Sequence, residues 1–159
     1  MKRIPERRRP QLTGKGGTHR FLALPDVVTK SDAWGALSGN AVKFIVEIAR
    51  QFSGANNGDL SAPWSKMKRR GFRSKSTLYE AGREATAAGF VVVTRQGGRH
   101  RTCTLYGITW KPVDDCAGKH DHPVETVASN LWKTEIALAM RTSGFAMRTS
   151  EPENEQKAA

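Results

Sequence analysis

Six cations and no carboxylate lie between Leu60 and Tyr79: Lys66, Lys68, Arg69, Arg70, Arg73 and Lys75. A second basic group, Arg95, Arg99, His100 and Arg101, surrounds the Gly97-Gly98 pair. The chemistry open to such residues is ionic. Guanidinium and ammonium groups neutralise phosphates and release their counterions. Arginines on a glycine turn suit a minor groove or a phosphate backbone, because glycine allows close approach. Just after the first group come Ser76, Thr77, Tyr79 and Arg83, side chains able to reach base edges. Arg83 suits guanine, whereas Ser76 and Thr77 discriminate poorly and equally suit phosphate. For Tyr79, burial against a scaffold competes evenly with a base contact. Glu80 and Glu84 break the basic pattern, and pairing with neighbouring cations is expected of them ahead of accepting from cytosine.

Composition points the same way. The chain has 159 residues, with 26 Lys+Arg against 15 Asp+Glu and a net charge of +11. Residues 1–113 hold 21 basic and 7 acidic side chains, and residues 114–159 hold 5 and 8. Positive charge so concentrated argues for a polyanionic partner. Two cysteines, Cys103 and Cys116, are too few for a disulfide framework and suit a reducing cytoplasm. No apolar run of about 18 residues is present, so no membrane association is expected. The basic N-terminus lacks the apolar stretch of a secretion signal.

Enzyme motifs are missing: no Walker loop, no Gly-x-Ser-x-Gly and no His-Glu-x-x-His. Gly14-Lys15-Gly16-Gly17-Thr18 has neither a strand before it nor a helix after it. Cys116, His120 and His122 lack a second cysteine pair or a finger spacing, so neither metal nor cofactor is expected.

The elements that must position the cations are readable in outline. Residues 1–20, with seven basic side chains, read as a flexible arm. Phe21 to Val28 is an apolar, packed lead-in broken by Pro25, and Ser31 caps a short turn ending near Gly35. Ser38 caps a largely buried helix over 39–52, with Ala41, Phe44, Ile45, Ile48 and Phe52 at helical spacing. Asn57-Gly58 is a turn signal, and residues 59–62 are a candidate short strand that would pair with the later hairpin. A helix follows from Pro63 to Arg70, closed by Gly71. A second, capped by Ser74 or Ser76, runs to Ala88 with Leu78, Ala81, Ala85 and Ala88 inward. Residues 90–94 and 102–110 then form a hairpin about Gly97-Gly98. Beyond residue 113 a mostly disordered tail is expected, with a short amphipathic helix over 124–140 and the tandem Ala139–Ser143 and Ala146–Ser150 repeat.

This order predicts a mainly α fold with a small antiparallel β-hairpin, a winged helix-turn-helix over residues 21–113. Trp34-Gly35-Ala36-Leu37-Ser38, Asn56-Asn57-Gly58, Gly89-Phe90-Val91, Thr94-Arg95 and Tyr106-Gly107-Ile108-Thr109-Trp110 resemble a recurrent winged-helix family of bacterial and phage-like elements. The resemblance spans about residues 28–113 and implies a replication-initiator-like or regulator-like DNA-binding module. Gly82 and Ala85 depart from its pattern, where Ala85 replaces a larger apolar residue, and are expected to cost helix stability and packing. The expectation is therefore a non-enzymatic, cytoplasmic, nucleoid-associated protein that binds duplex DNA, with a homodimer open. The alternatives are a protein-interaction module recruiting a replication or transcription partner through the same surface or through the tail over residues 124–150, and RNA binding.

Overall fold

The computed structural model describes residues 21–98 and 102–134. Two one-turn helices come first, α1 (Asp26–Thr29) and α2 (Asp32–Gly35), followed by α3 (Gly39–Ala49). Serine caps set the starts: Ser31 Oγ accepts from the Trp34 amide, and Ser38 Oγ from that of Ala41. β1 (Leu60–Ser61), α4 (Trp64–Arg69), α5 (Lys75–Ala87), β2 (Val91–Arg95) and β3 (Leu105–Ile108) complete the body. The result is a mixed fold, several helices with a three-stranded antiparallel sheet in the order β1-β3-β2. The expected hairpin supplies two of the three strands, and the short strand expected over 59–62 is the third, with Leu60 and Ser61 pairing with Tyr106 and Leu105.

α4 and α5 end in the same way, and the sequence shows why. In each, a glycine at positive φ (Gly71 at 86°, Gly89 at 76°) precedes a buried phenylalanine. The amides of Phe72 and Phe90 reach back to the carbonyls of Met67 and Ala85, and those of Gly71 and Gly89 to Lys68 and Thr86. Both turns thereby satisfy carbonyls a helix end would leave orphaned, and both drop a ring into the core. The expected helix over 39–52 is shorter as an α-helix, because Gln51 and Phe52 continue it with tighter three-residue bonds to Ile48 and Ala49. The Gln51 amide then pairs with the Ser61 backbone in both directions, fixing β1 to the end of α3.

The core joins Phe44, Ile45 and Ile48 of α3 to Leu78, Ala81 and Ala85 of α5 and to Leu60, Met67, Phe90, Val91 and Ile108. Gly82 lies here too, and its role differs from the expected loss of packing. A Cβ at Gly82 would stand 3.3 Å from the Phe44 ring. That ring meets Tyr106 edge-on at 5.3 Å, so the missing side chain is where α3 closes on α5. Helix propensity is still lost, by about 1 kcal/mol relative to alanine.

Three expectations need correction. The apolar lead-in is only partly packed: Val28 is fully buried, but Phe21 is 84% exposed. The disordered tail expected from residue 114 does not begin there, since residues 113–134 strap across the body. Asp121 N bonds Thr94 O, Glu125 N bonds Val113 O and Asn130 N bonds Thr109 O. Trp132 is buried and stacks on Phe90, with centroids 6.1 Å apart and planes 7° off parallel. The helix expected over 124–140 is absent from its described part, 124–134, which holds only a 3₁₀ turn at Leu131–Lys133. Asn130 takes a left-handed backbone there, and Trp132 is drawn to Phe90 instead of completing a helical stripe. The remainder of that helix and the tandem repeat lie outside the described residues.

Candidate nucleic-acid interface

α4, the Arg70–Ser74 turn and the first half of α5 carry the cations on one continuous stretch. Lys66, Lys68, Arg69, Arg73 and Lys75 are all exposed, and none makes an ion pair among the described residues. The reason is local: Met67, Phe72 and Leu78 take the inward positions, which turns the residues between them to the surface. Helix α5 starts at this turn with its free amides, adding the positive end of its dipole to the same place.

Ser74 is the α5 cap, its Oγ accepting from the Thr77 amide at 3.0 Å. The Ser76 and Thr77 hydroxyls each lie 2.8 Å from it. Thr77 is half-buried in this cap, where Ser74 engages its hydroxyl, while Ser76 stays exposed. Tyr79 is 66% exposed, so the scaffold does not absorb it. Its neighbour Tyr106 is pushed above the usual phenol range by burial, with the Tyr79 phenol adding to the effect. Arg83 is exposed and only loosely associated with Glu80, at 4.0 Å. Ser76, Tyr79 and Arg83 thus form the outward face of α5, opposite Leu78, Ala81 and Ala85.

Two expected cations have other work. Arg70 donates from Nε and Nη2 to Glu47 Oε1, at 2.9 and 2.7 Å, and Arg50 donates to Oε2 of the same carboxylate. Burial raises the Glu47 carboxyl, but the hydrogen bonds and charges of Arg70 and Arg50 outweigh it and hold the group below its ordinary range. Arg95 bonds Lys119 O at 2.8 Å and Cys103 O at 3.3 Å, tying the base of the hairpin to the 113–134 strap. Lys119 in turn holds Asp59. Arg99, His100 and Arg101 lie outside the described residues. Gly97 accommodates the approach of the returning strand, since a Cβ there would stand 2.7 Å from Thr104 N.

Glu84 does not pair with a cation as expected. Its two oxygens accept from Ser38 N and Ser38 Oγ, each at 2.6 Å, joining α5 to the cap of α3. Sequence reasoning also missed Asn57. Its fully buried amide accepts from Ile108 N and donates to Ile108 O, Lys111 O and Pro112 O. The Asn-Gly pair signalled the turn, but not that the side chain would clamp the end of β3.

Among the described residues no three His, Cys, Asp or Glu side chains gather as a metal site. His120 Nε2 instead donates to Asp114 O, and the Cys116 thiol faces Asn57 O at 3.6 Å. Burial pushes that thiol up, and Asp59 and Asp114 push it further. No helix among the described residues is long and apolar enough to cross a membrane. No protein-family model, curated protein or solved structure matches this chain.

Proposed function

We propose that the chain is a winged helix-turn-helix protein that binds duplex DNA, as a non-enzymatic transcriptional or replication-associated regulator of the bacterial cytoplasm. α4 and α5 are the helix pair, β2 and β3 the stem of the wing. The observation that carries the reading is how unevenly cations are left free. Of the described lysines and arginines, those with neither a carboxylate, a carbonyl nor a ring as partner are Lys66, Lys68, Arg69, Arg73, Lys75 and Lys111, and five of the six fall within ten consecutive residues. Paired cations stabilise the fold, whereas unpaired ones crowded together repel one another and gain only from an external polyanion.

In this reading α5 enters the major groove, offering Ser76, Tyr79 and Arg83 to base edges. The α4 and turn cations lie along phosphates, and Arg99, His100 and Arg101 flank the site. The test is a mobility shift on random-sequence duplexes. Binding that weakens steeply with salt, and a lower affinity across all sequences for Arg99→Ala with Arg101→Ala, support the reading. Binding insensitive to salt contradicts it. Structured RNA is the competitor to include, because preferential displacement by RNA changes the partner class.

A second reading has its own observation. Val124 and Val127 on the strap are 57% and 76% exposed, an apolar surface suited to a protein partner. Capture of a replication or transcription protein that survives replacement of the wing arginines, but fails without residues 124–150, favours it.

A further inference from the structure

The basic surface does not stop at the helix pair. Lys43 belongs to α3, a scaffold helix, and lies about thirty residues before the turn in the chain. Its stem is half-buried, and its ammonium stands over the Phe72 ring, 5.1 Å from the centroid. A Cβ at Gly71 would come within 2.9 Å of Lys43 Nζ. The ammonium therefore fills the space a side chain at Gly71 would occupy, directly at the α4–α5 turn.

Its charge is not spent within the fold. The acid nearest in sequence, Glu47, follows one turn later on the same helix, and both its oxygens are taken by Arg50 and Arg70. Lys43 makes no ion pair among the described residues. The Phe72 ring holds the ammonium through its quadrupole without neutralising it. A positioned, uncompensated cation thus sits beside Gly71 and Phe72, on the turn that leads through Arg73 to the start of α5 at Lys75.

We propose that Lys43 contacts a backbone phosphodiester of the bound duplex, extending the interface from the helix pair onto α3. This rests on the duplex-binding reading above. Lys43→Met keeps an unbranched stem over Phe72 and removes the charge, Lys43→Arg keeps the charge, and Lys111→Met removes an unpaired cation away from the turn. Fluorescence anisotropy with a labelled random-sequence 20-base-pair duplex, over a range of KCl concentrations, reads each variant. Loss of one phosphate contact flattens the slope of log affinity against log salt by about 0.9 and lowers affinity roughly fivefold at 0.15 M.

Lys43→Met is expected to show both changes with an unaltered melting temperature, while Lys43→Arg and Lys111→Met keep the wild-type slope. A wild-type slope for Lys43→Met, alongside a flattened one for Lys68→Met, overturns the assignment and leaves the duplex reading intact. A lower melting temperature with an unchanged slope also overturns it, because Lys43 then acts only in packing. Wild-type protein that binds no duplex overturns both readings together.

Discussion

Two groups of cations in this fold carry positive charge in opposite ways. In the scaffold group, Arg50 and Arg70 share the buried Glu47, Lys119 holds Asp59, and Arg95 is bound to two carbonyls. In the outer group, Lys66, Lys68, Arg69, Arg73 and Lys75 face solvent without a carboxylate. Net charge alone would not separate these groups. The difference teaches that partner state sorts a basic sequence into cations that hold the fold and cations available to a ligand. Substitutions in the first group should cost stability, and those in the second should cost only binding.

The sharpest contrast uses the polar clamp behind the scaffold group. Asn57→Ala removes four side-chain bonds and leaves buried groups of residues 108–112 unpaired. It is expected to cost about 3 kcal/mol or more in urea unfolding, because unsatisfied buried groups incur their desolvation penalty. A loss below about 1 kcal/mol would show that water readily replaces the clamp.

Glu47→Gln is the next test, expected to cost about 1 kcal/mol at neutral pH, since both arginines are half in solvent. The folded carboxyl sits below its ordinary value of 4.5, so its stabilisation is complete above that pH and is lost as pH falls through the folded value. The gap between wild type and Glu47→Gln should therefore close in acid. A gap constant down to pH 2 would mean that the charge contributes nothing.

The smallest effect is the most diagnostic of the sorting. Arg95→Gln removes a cation that basic clustering alone assigns to DNA, yet its guanidinium is engaged by Lys119 O and Cys103 O. Under the proposed reading, duplex affinity should fall modestly as the base of the hairpin loosens, with the salt slope unchanged. A slope flattened by about 0.9 would return Arg95 to the phosphate-binding group.

How much of this was legible depended on sequence distance. Caps and turns are local, so Ser31, Ser38, Gly71 and Gly89 announced the helix limits, and the run from Lys66 to Lys75 announced the basic surface. Glu84 could not be read, because its partner Ser38 is 46 residues away. Asn57 acts across 51 residues on Ile108, and only its turn-forming habit is visible in one dimension. The strap was misread because its composition is polar and it is held by an aromatic stack, scattered backbone bonds and long-range side-chain links such as Arg95 to Lys119 O and Lys119 to Asp59. None of these produces a periodic pattern. Lys43 escaped for a related reason: it sits in a helix read as scaffold, and folding alone brings it to the turn.

The most direct test of the sorting replaces Lys66, Lys68, Arg69, Arg73 and Lys75 together with glutamine, and measures duplex affinity against salt beside thermal unfolding. The predicted result is a salt slope reduced by about 4.5, with affinity at 0.15 M salt down by nearly four orders of magnitude, and a melting temperature at or above that of the wild type. A wild-type salt slope, or a collapse in melting temperature, would contradict the claim that these five cations are held free for a polyanion.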